Sequence, residues 1–358
     1  MACSMVLGLA ACGGSSGSST SSEPAAEPAA ETAEAGDAAA AEGDAAAAGD
    51  AAAAGDAAAV GEAPTGWAPS GTVSIIVPAG AGGNTDLSAR VFAQYAKEIS
   101  GVDFIVVNAN GAAGSVAANQ VLSAAPDGQT VLYGHNLVNV AKVAGVTDYD
   151  YTAFKLGPTF AKDPAQQLYV NPNKYADMNA FLEAAKANPG KLKACTEVGA
   201  YTYYELLAFE NLAGIDLDLV DVGSNSDKIT AMLSEQVDLM PGAYINCKDY
   251  LASGQFACIG VPTAERYELI ADIPTLKEQG IDLVYPDCDF SFYFPKETSD
   301  DVIAWYEWIV QKMESQDDCL EAIKNVEMMP YYLSAADSEA NDKAYLETFQ
   351  SIADSLAK

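Results

Sequence analysis

His135 is the only histidine among 358 residues. A catalytic triad or metal centre built on imidazole has that one residue to draw on, and a lone histidine after a strand is more often structural than catalytic. The seven cysteines include no C-x-x-C spacing of the metal or redox kind. Setting aside Cys3 and Cys12 leaves Cys195, Cys247, Cys258, Cys288 and Cys319, an odd set at wide spacings. Buried free thiols are the expectation, with a Cys247–Cys258 disulfide as the alternative in an oxidising compartment. Among the 50 acidic residues no pair is marked by its spacing as an acid and base for hydrolysis. Ligand-holding chemistry is easier to find. Pro78 is followed by Ala79, Gly80, Ala81, Gly82, Gly83, Asn84, Thr85 and Asp86. Glycines let backbone N–H groups approach a ligand, and the helix start beyond them favours an anion. The Walker lysine is absent and the spacing is not G-x-G-x-x-G. A structural tight turn is the plainer alternative. Asp86 fits a first-turn residue facing the helix dipole, or, more sharply, a water-mediated ligand contact.

These residues need elements to position them. Residues 72–77 are a β-branched run that Pro78 ends, and an apolar stripe of Leu87, Val91, Tyr95 and Ile99 predicts a helix over 86–100. A strand over 103–107, a glycine-rich loop over 108–114, a helix over 115–125 and a strand over 130–133 follow. The pattern then recurs: helix 178–188, strand 192–196, loop 197–201, helix 202–212, strand 217–222, loop 223–226, helix 227–234. Strands are expected at 237–240, 256–261, 282–285 and 290–294, and helices at 300–313 and 335–356. Such alternation argues for two α/β units with largely parallel sheets. Ligands bind at loops leaving the carboxyl ends of such strands.

The first 66 residues differ from the rest. No Lys or Arg precedes Arg90, and residues 13–66 carry ten acidic side chains amid Ala, Gly, Ser and Pro. A segment so poor in large apolar groups does not offset its ordering entropy, so 13–71 is expected to be a disordered linker. Leu9-Ala10-Ala11-Cys12 resembles the bacterial lipobox, in which the cysteine is acylated. The basic n-region of a signal is missing, so the start of translation is expected upstream and residues 1–12 are read as a signal remnant. No run of 18 apolar residues offers a membrane span. The remaining chain sets 18 basic against 40 acidic residues, a charge of −22, which excludes a nucleic-acid footprint and disfavours anionic lipid surfaces.

At the loops the chain resembles the substrate-binding receptors of tripartite tricarboxylate transporters, the Bug receptors. Pro78, Gly82, Gly83, Asp86, Ala89 and Arg90 match that family's first loop. Asn108, Gly111, Ala112 and Gly114 match its second. Ala125-Pro-Asp-Gly-Gln-Thr130 and Asp272-Ile-Pro-Thr-Leu-Lys-Glu278-Gln-Gly280 match its later motifs in the right order, from about residue 72 to the end. The resemblance implies a two-domain clamshell of the type II periplasmic binding protein kind, each domain a mainly parallel sheet flanked by helices. Domain one would hold 72–168 plus 287–358 and domain two 169–286. It implies an extracytoplasmic, lipid-anchored, monomeric receptor and not an enzyme, without cofactor or metal, handing a small organic carboxylate to a membrane permease. A receptor for a neutral or cationic solute is the runner-up, and an α/β enzyme acting on a small acid the third reading.

The resemblance places the ligand against residues 79–86, with His135 and Asn136 from the loop after the third strand. Thr196, Gly199, Ala200, Tyr201 and Thr202 come from one domain-two loop, and Gly223, Ser224 and Asn225 from another. Backbone N–H groups at Gly80–Gly83 and Gly199–Thr202 are expected to hold the carboxylate, since the candidate loops are nearly free of Lys and Arg. Three positions depart from the family pattern: Ala79 stands where it has an aromatic, Tyr201 where it has glycine, and Glu205 where it has histidine. The pocket is therefore expected to be reshaped, with Tyr201 covering the ligand body.

Overall fold

The computed structural model describes residues 60–356; the lipobox and the linker up to 59 lie outside the described residues. Strand β1 (Val73–Val77) is almost wholly buried and stops at Pro78, which has no amide to give a ladder. Helix α1 (Asn84–Ser100) starts on Gly83 and ends at Gly101, whose left-handed backbone (φ 73°) provides the stop. Its stripe buries Val91, Phe92, Tyr95 and Ala96. The Phe92 ring lies 4.5 Å from that of Phe292 and 5.4 Å from that of Phe160, so Phe92→Ala would cost about 3–5 kcal/mol.

Strand β2 (Phe104–Asn108), helix α2 (Ser115–Leu122) and strand β3 (Thr130–Gly134) complete two parallel strand–helix–strand connections. β1 lies between β2 and β3, parallel to both, with Val73 opposite Phe104 and Ser74 opposite Thr130. After helix α3 (Leu137–Val143) comes the long strand β4 (Phe154–Asp163). The chain then crosses into a second set of elements: β5 (Gln167–Val170), α4 (Met178–Ala187), β6 (Lys193–Thr196), α5 (Tyr201–Ala213), β7 (Asp218–Asp221), α6 (Asn225–Leu233), β8 (Met240–Gly242), α7 (Tyr244–Ala252) and β9 (Ala257–Gly260). It returns as β10 (Cys288–Pro295), α8 (Asp300–Glu314), α9 (Asp317–Asn325), β11 (Met329–Leu333) and α10 (Ala335–Leu356).

The result is a two-domain α/β fold. One sheet has the order β11-β4-β10-β3-β1-β2; β8-β5-β9 and β6-β7 form the others. The six-stranded sheet is mixed and β8-β5-β9 is antiparallel throughout, where sequence alternation suggests largely parallel sheets. Pairing is parallel where a helix intervenes, in β1 with β2 and β3 and in β6 with β7. It is antiparallel where the returning β10 inserts between β3 and β4, because that strand arrives from the other lobe rather than by a crossover. Residues 282–285, expected as a strand, pair with no sheet: Leu283 and Tyr285 are buried in an extended connection whose Tyr285 amide donates to Pro262 O at 2.8 Å. The last residues of the expected linker, from 60 on, lie along the first lobe. Trp67 packs edge-on to Trp305 at 5.4 Å and stacks on Tyr306, and Trp308 donates to the Gly61 carbonyl at 3.0 Å. Cys195, Cys247, Cys258, Cys288 and Cys319 are free thiols.

Candidate functional site

The loop leaving β1 is built around Asp86. Its carboxylate accepts from the Gly82 amide at 2.9 Å, from Arg90 at 2.9 and 2.8 Å, and from Asn108 Nδ2 at 2.9 Å. Burial alone would raise the Asp86 pKa; the Arg90, Gly82 and Asn108 donors outweigh it and hold the carboxyl below its usual value. Asp86 thus folds the loop from beneath, and the left-handed Gly82 (φ 81°) turns the chain at no steric cost. The Gly82 N–H is committed to Asp86, which removes it from the donors expected to face a ligand.

Between the lobes lies a cleft of about 140 Å³. Residues 78–85 form one wall, with Asn110, His135 and Leu137 beside them. Gln166 lies where the chain crosses between lobes. The facing wall consists of Glu197, Ala200, Tyr201 and Thr202, then 223–226, and finally Lys228 and Asn246. Most residues expected at the site therefore share this cleft. Asp86, Asn136, Thr196 and Gly199 do not line it. Asn136 faces His135 Nδ1 at 3.0 Å and donates to Asp287 O at 3.3 Å. Thr196 holds the Thr202 hydroxyl at 2.8 Å. Gly199 meets Ala144 and Val146 of the other lobe.

Three helices present their first turns to the cleft. Backbone N–H groups of Asn84, Tyr201, Thr202, Asn225 and Ser226 find no acceptor among the described residues, nor do those of Gly80 and Ala81. Ser224 and Asp227 close a capping box on α6, which leaves its two leading amides free. Unpaired amides and helix dipoles of this kind favour an anion. His135 is half-buried at the cleft edge, and its pKa is pushed down to about 4 by desolvation despite the Asn136 contact, so it is neutral at physiological pH. Its ring meets Tyr201 edge-on at 5.2 Å. The Tyr201 hydroxyl donates to Pro286 O, and Tyr285 donates to Tyr201 O at 2.8 Å, so this tyrosine is fixed by its own lobe and presented to His135 of the other.

Sequence reasoning missed the two charged residues of the lining, Glu197 and Lys228. Lys228 is only 4% exposed, and its ammonium has no hydrogen bond or ion pair among the described residues. Burial lowers its pKa, opposed by Glu205 and Glu197 and by the thiols of Cys195 and Cys247. Glu205, behind the cleft on α5, is 1% exposed and neither carboxylate oxygen has a partner. Burial holds its pKa well above the usual range, against the pull of Lys228. Glu197 accepts from the Ala113 amide of the other lobe at 3.2 Å, and Asn246 donates to Gly82 O at 3.0 Å. These two bonds tie the lobes across the cleft.

A family model described as "Tripartite tricarboxylate transporter family receptor" matches residues 88–348. The chain belongs to that family. Its members are extracytoplasmic solute-binding receptors, and this receptor stands with them rather than with enzymes. A UPF0065 protein of Cupriavidus necator is 28% identical over 295 residues, covering 78% of this chain and 88% of its own. Protein BugT of Bordetella pertussis is 24% identical over 248 residues, 66% and 74% of the two chains. Among solved structures, MatC from Rhodopseudomonas palustris with bound malate superposes with a TM-score of 0.72 at 22% identity, over 80% of this chain and 99% of that one. A second R. palustris protein, with adipate, gives 0.74 at 21% identity over 81% and 98%. At such identities the structures speak for the fold.

Proposed function

We propose that this receptor captures a small organic carboxylate in the interlobe cleft and delivers it to a tripartite tricarboxylate-type membrane permease. The observation that carries the reading is the set of unpaired backbone N–H groups on three helix N-termini around one cleft: a carboxylate satisfies several at once without a long-range charge. Malate and adipate in the cited structures suggest short acids. The ligand-binding residues are proposed to be those of 79–85, His135, 200–202 and 223–225, with Asp86, Asn136, Thr196 and Gly199 supporting them. The lobes are proposed as 72–168 plus 287–358 and 169–286. In support, the six-stranded sheet draws its strands from the first set, and β6 to β9 fall in the second. A neutral or cationic solute is the second reading, favoured by Glu197 in the cleft wall.

A thermal-shift screen against a metabolite library separates the two. A ligand at 100 times its Kd stabilises the fold by about 2.7 kcal/mol. Shifts from organic acids are expected; shifts confined to amines or sugars would overturn the carboxylate reading. Acylation of Cys12 is proposed as the membrane tether of a monomeric receptor, from the Leu-Ala-Ala-Cys run alone. A Cys12→Ala protein expressed with its native leader should appear in the soluble fraction; persistent membrane association would count against the anchor.

A further inference from the structure

Lys228 lies on the buried face of α6 with Ala231 and Met232, where a hydrocarbon side chain would be the ordinary choice. The residue is 4% exposed and its ammonium is open only to the cleft, so a partner there is expected to complete it. The acids around it do not do so among the described residues. Glu205 has no hydrogen-bond partner on either oxygen, and Glu197 is engaged by the Ala113 amide. The remaining neighbours are the thiols of Cys195 and Cys247, both buried, which are weak acceptors. On its open side Lys228 faces the cleft, beside the free amides of Asn225 and Ser226 at the start of its own helix.

We infer that Lys228 is the specificity-determining cation of the cleft: its ammonium pairs with the carboxylate of the captured solute. The inference rests on the carboxylate reading of the cleft and adds a charged contact to it. It makes the site select an ionised acid over the corresponding neutral amide, a distinction that hydrogen-bond donors alone make weakly. Glu205 bounds the selectivity from behind, because ionised it would compete with the solute for the same ammonium.

The test is calorimetric titration of the full chain with malate, adipate and adipic acid diamide. Wild type should bind at least one acid and discriminate strongly against the diamide. Lys228→Met should lose about 30-fold or more in affinity for the acid, should no longer separate acid from amide, and without ligand should melt no lower than wild type. Glu205→Gln, which keeps a neutral side chain behind Lys228, should leave acid affinity within threefold of wild type. If Lys228→Met alone does not fold, Lys228→Met/Glu205→Gln leaves neither charge of the pair and should show the same loss. An acid affinity within threefold of wild type in the Met variant would overturn the role of Lys228 while leaving the carboxylate reading in place. Binding of no acid by wild type would overturn that reading itself.

Discussion

At the scale of single residues, the cleft wall is backed by a buried carboxyl, Asp163, that does not line it. Asn84 lines the cleft and donates through Nδ2 to Asp163 Oδ2 at 2.8 Å, while Asp163 Oδ1 has no partner. Burial lifts the Asp163 pKa to about 7 from 3.8, with Asn84 opposing and the Asp287 charge reinforcing the rise. The folded state therefore holds this proton more tightly than the unfolded chain. The stability contributed by Asp163 is complete below pH 3.8 and is lost as pH rises through about 7. Asp163→Asn keeps an acceptor for Asn84 and cannot ionise. Its stability advantage over wild type should be near zero at pH 4, grow toward pH 7 and level off above it at roughly 2–4 kcal/mol. Urea unfolding of both proteins across that range measures it, and a gap independent of pH would mean the carboxyl is ionised throughout. Lys228 and Glu205 had a signal in the sequence: each interrupts a helix face whose other members, Ala231 and Met232 or Ala208 and Phe209, are buried. Spacing marks them as misplaced charges, but it does not say that α6 turns Lys228 toward the opposite lobe.

At the scale of elements, the loops matter because each feeds a helix start into the cleft, and the lobes are joined there by few bonds. The Asn246 side chain, from α7, reaches Gly82 O at 3.0 Å. Asn246→Ala should weaken ligand affinity about 5-fold, roughly the worth of one hydrogen bond, and leave the melting temperature of the unliganded protein unchanged. Unaltered affinity would mean that this bond plays no part in closing the lobes. The elements around the glycine loops were legible because Pro78, Gly101 and Gly214 mark their ends and an apolar stripe marks α1. β4 was not, since Gly157 and Pro158 stand inside it and read as breakers. The structure supplies the reason for Gly157: a Cβ there would lie 2.6 Å from the Phe294 ring and 3.1 Å from Phe292 Cβ, so only glycine lets β10 pair so closely. Residues 282–285 misled in the opposite way. Their short apolar run, Leu283-Val284-Tyr285, serves a buried connection between lobes, and such a run alone does not separate that from a strand.

For the molecule as a whole, the formal charge is −32, and an anion approaches against it. On the proposed carboxylate reading, long-range attraction contributes nothing to capture, and affinity would come from amides and Lys228 inside the cleft, where salt screens little. The repulsion outside is screened, so raising ionic strength to the physiological range should leave Kd unchanged or slightly tighter. The most direct test of the central claim is a titration of the full chain with matched series of equal length, dicarboxylates, diols and diamines, at low and physiological salt, with the recovered ligand weighed by mass spectrometry. One-to-one binding of a dicarboxylate, returned unaltered and held no more weakly in salt, is the predicted result. Binding confined to diols or diamines, chemical conversion of the acid, or a steep loss of affinity with salt would contradict it.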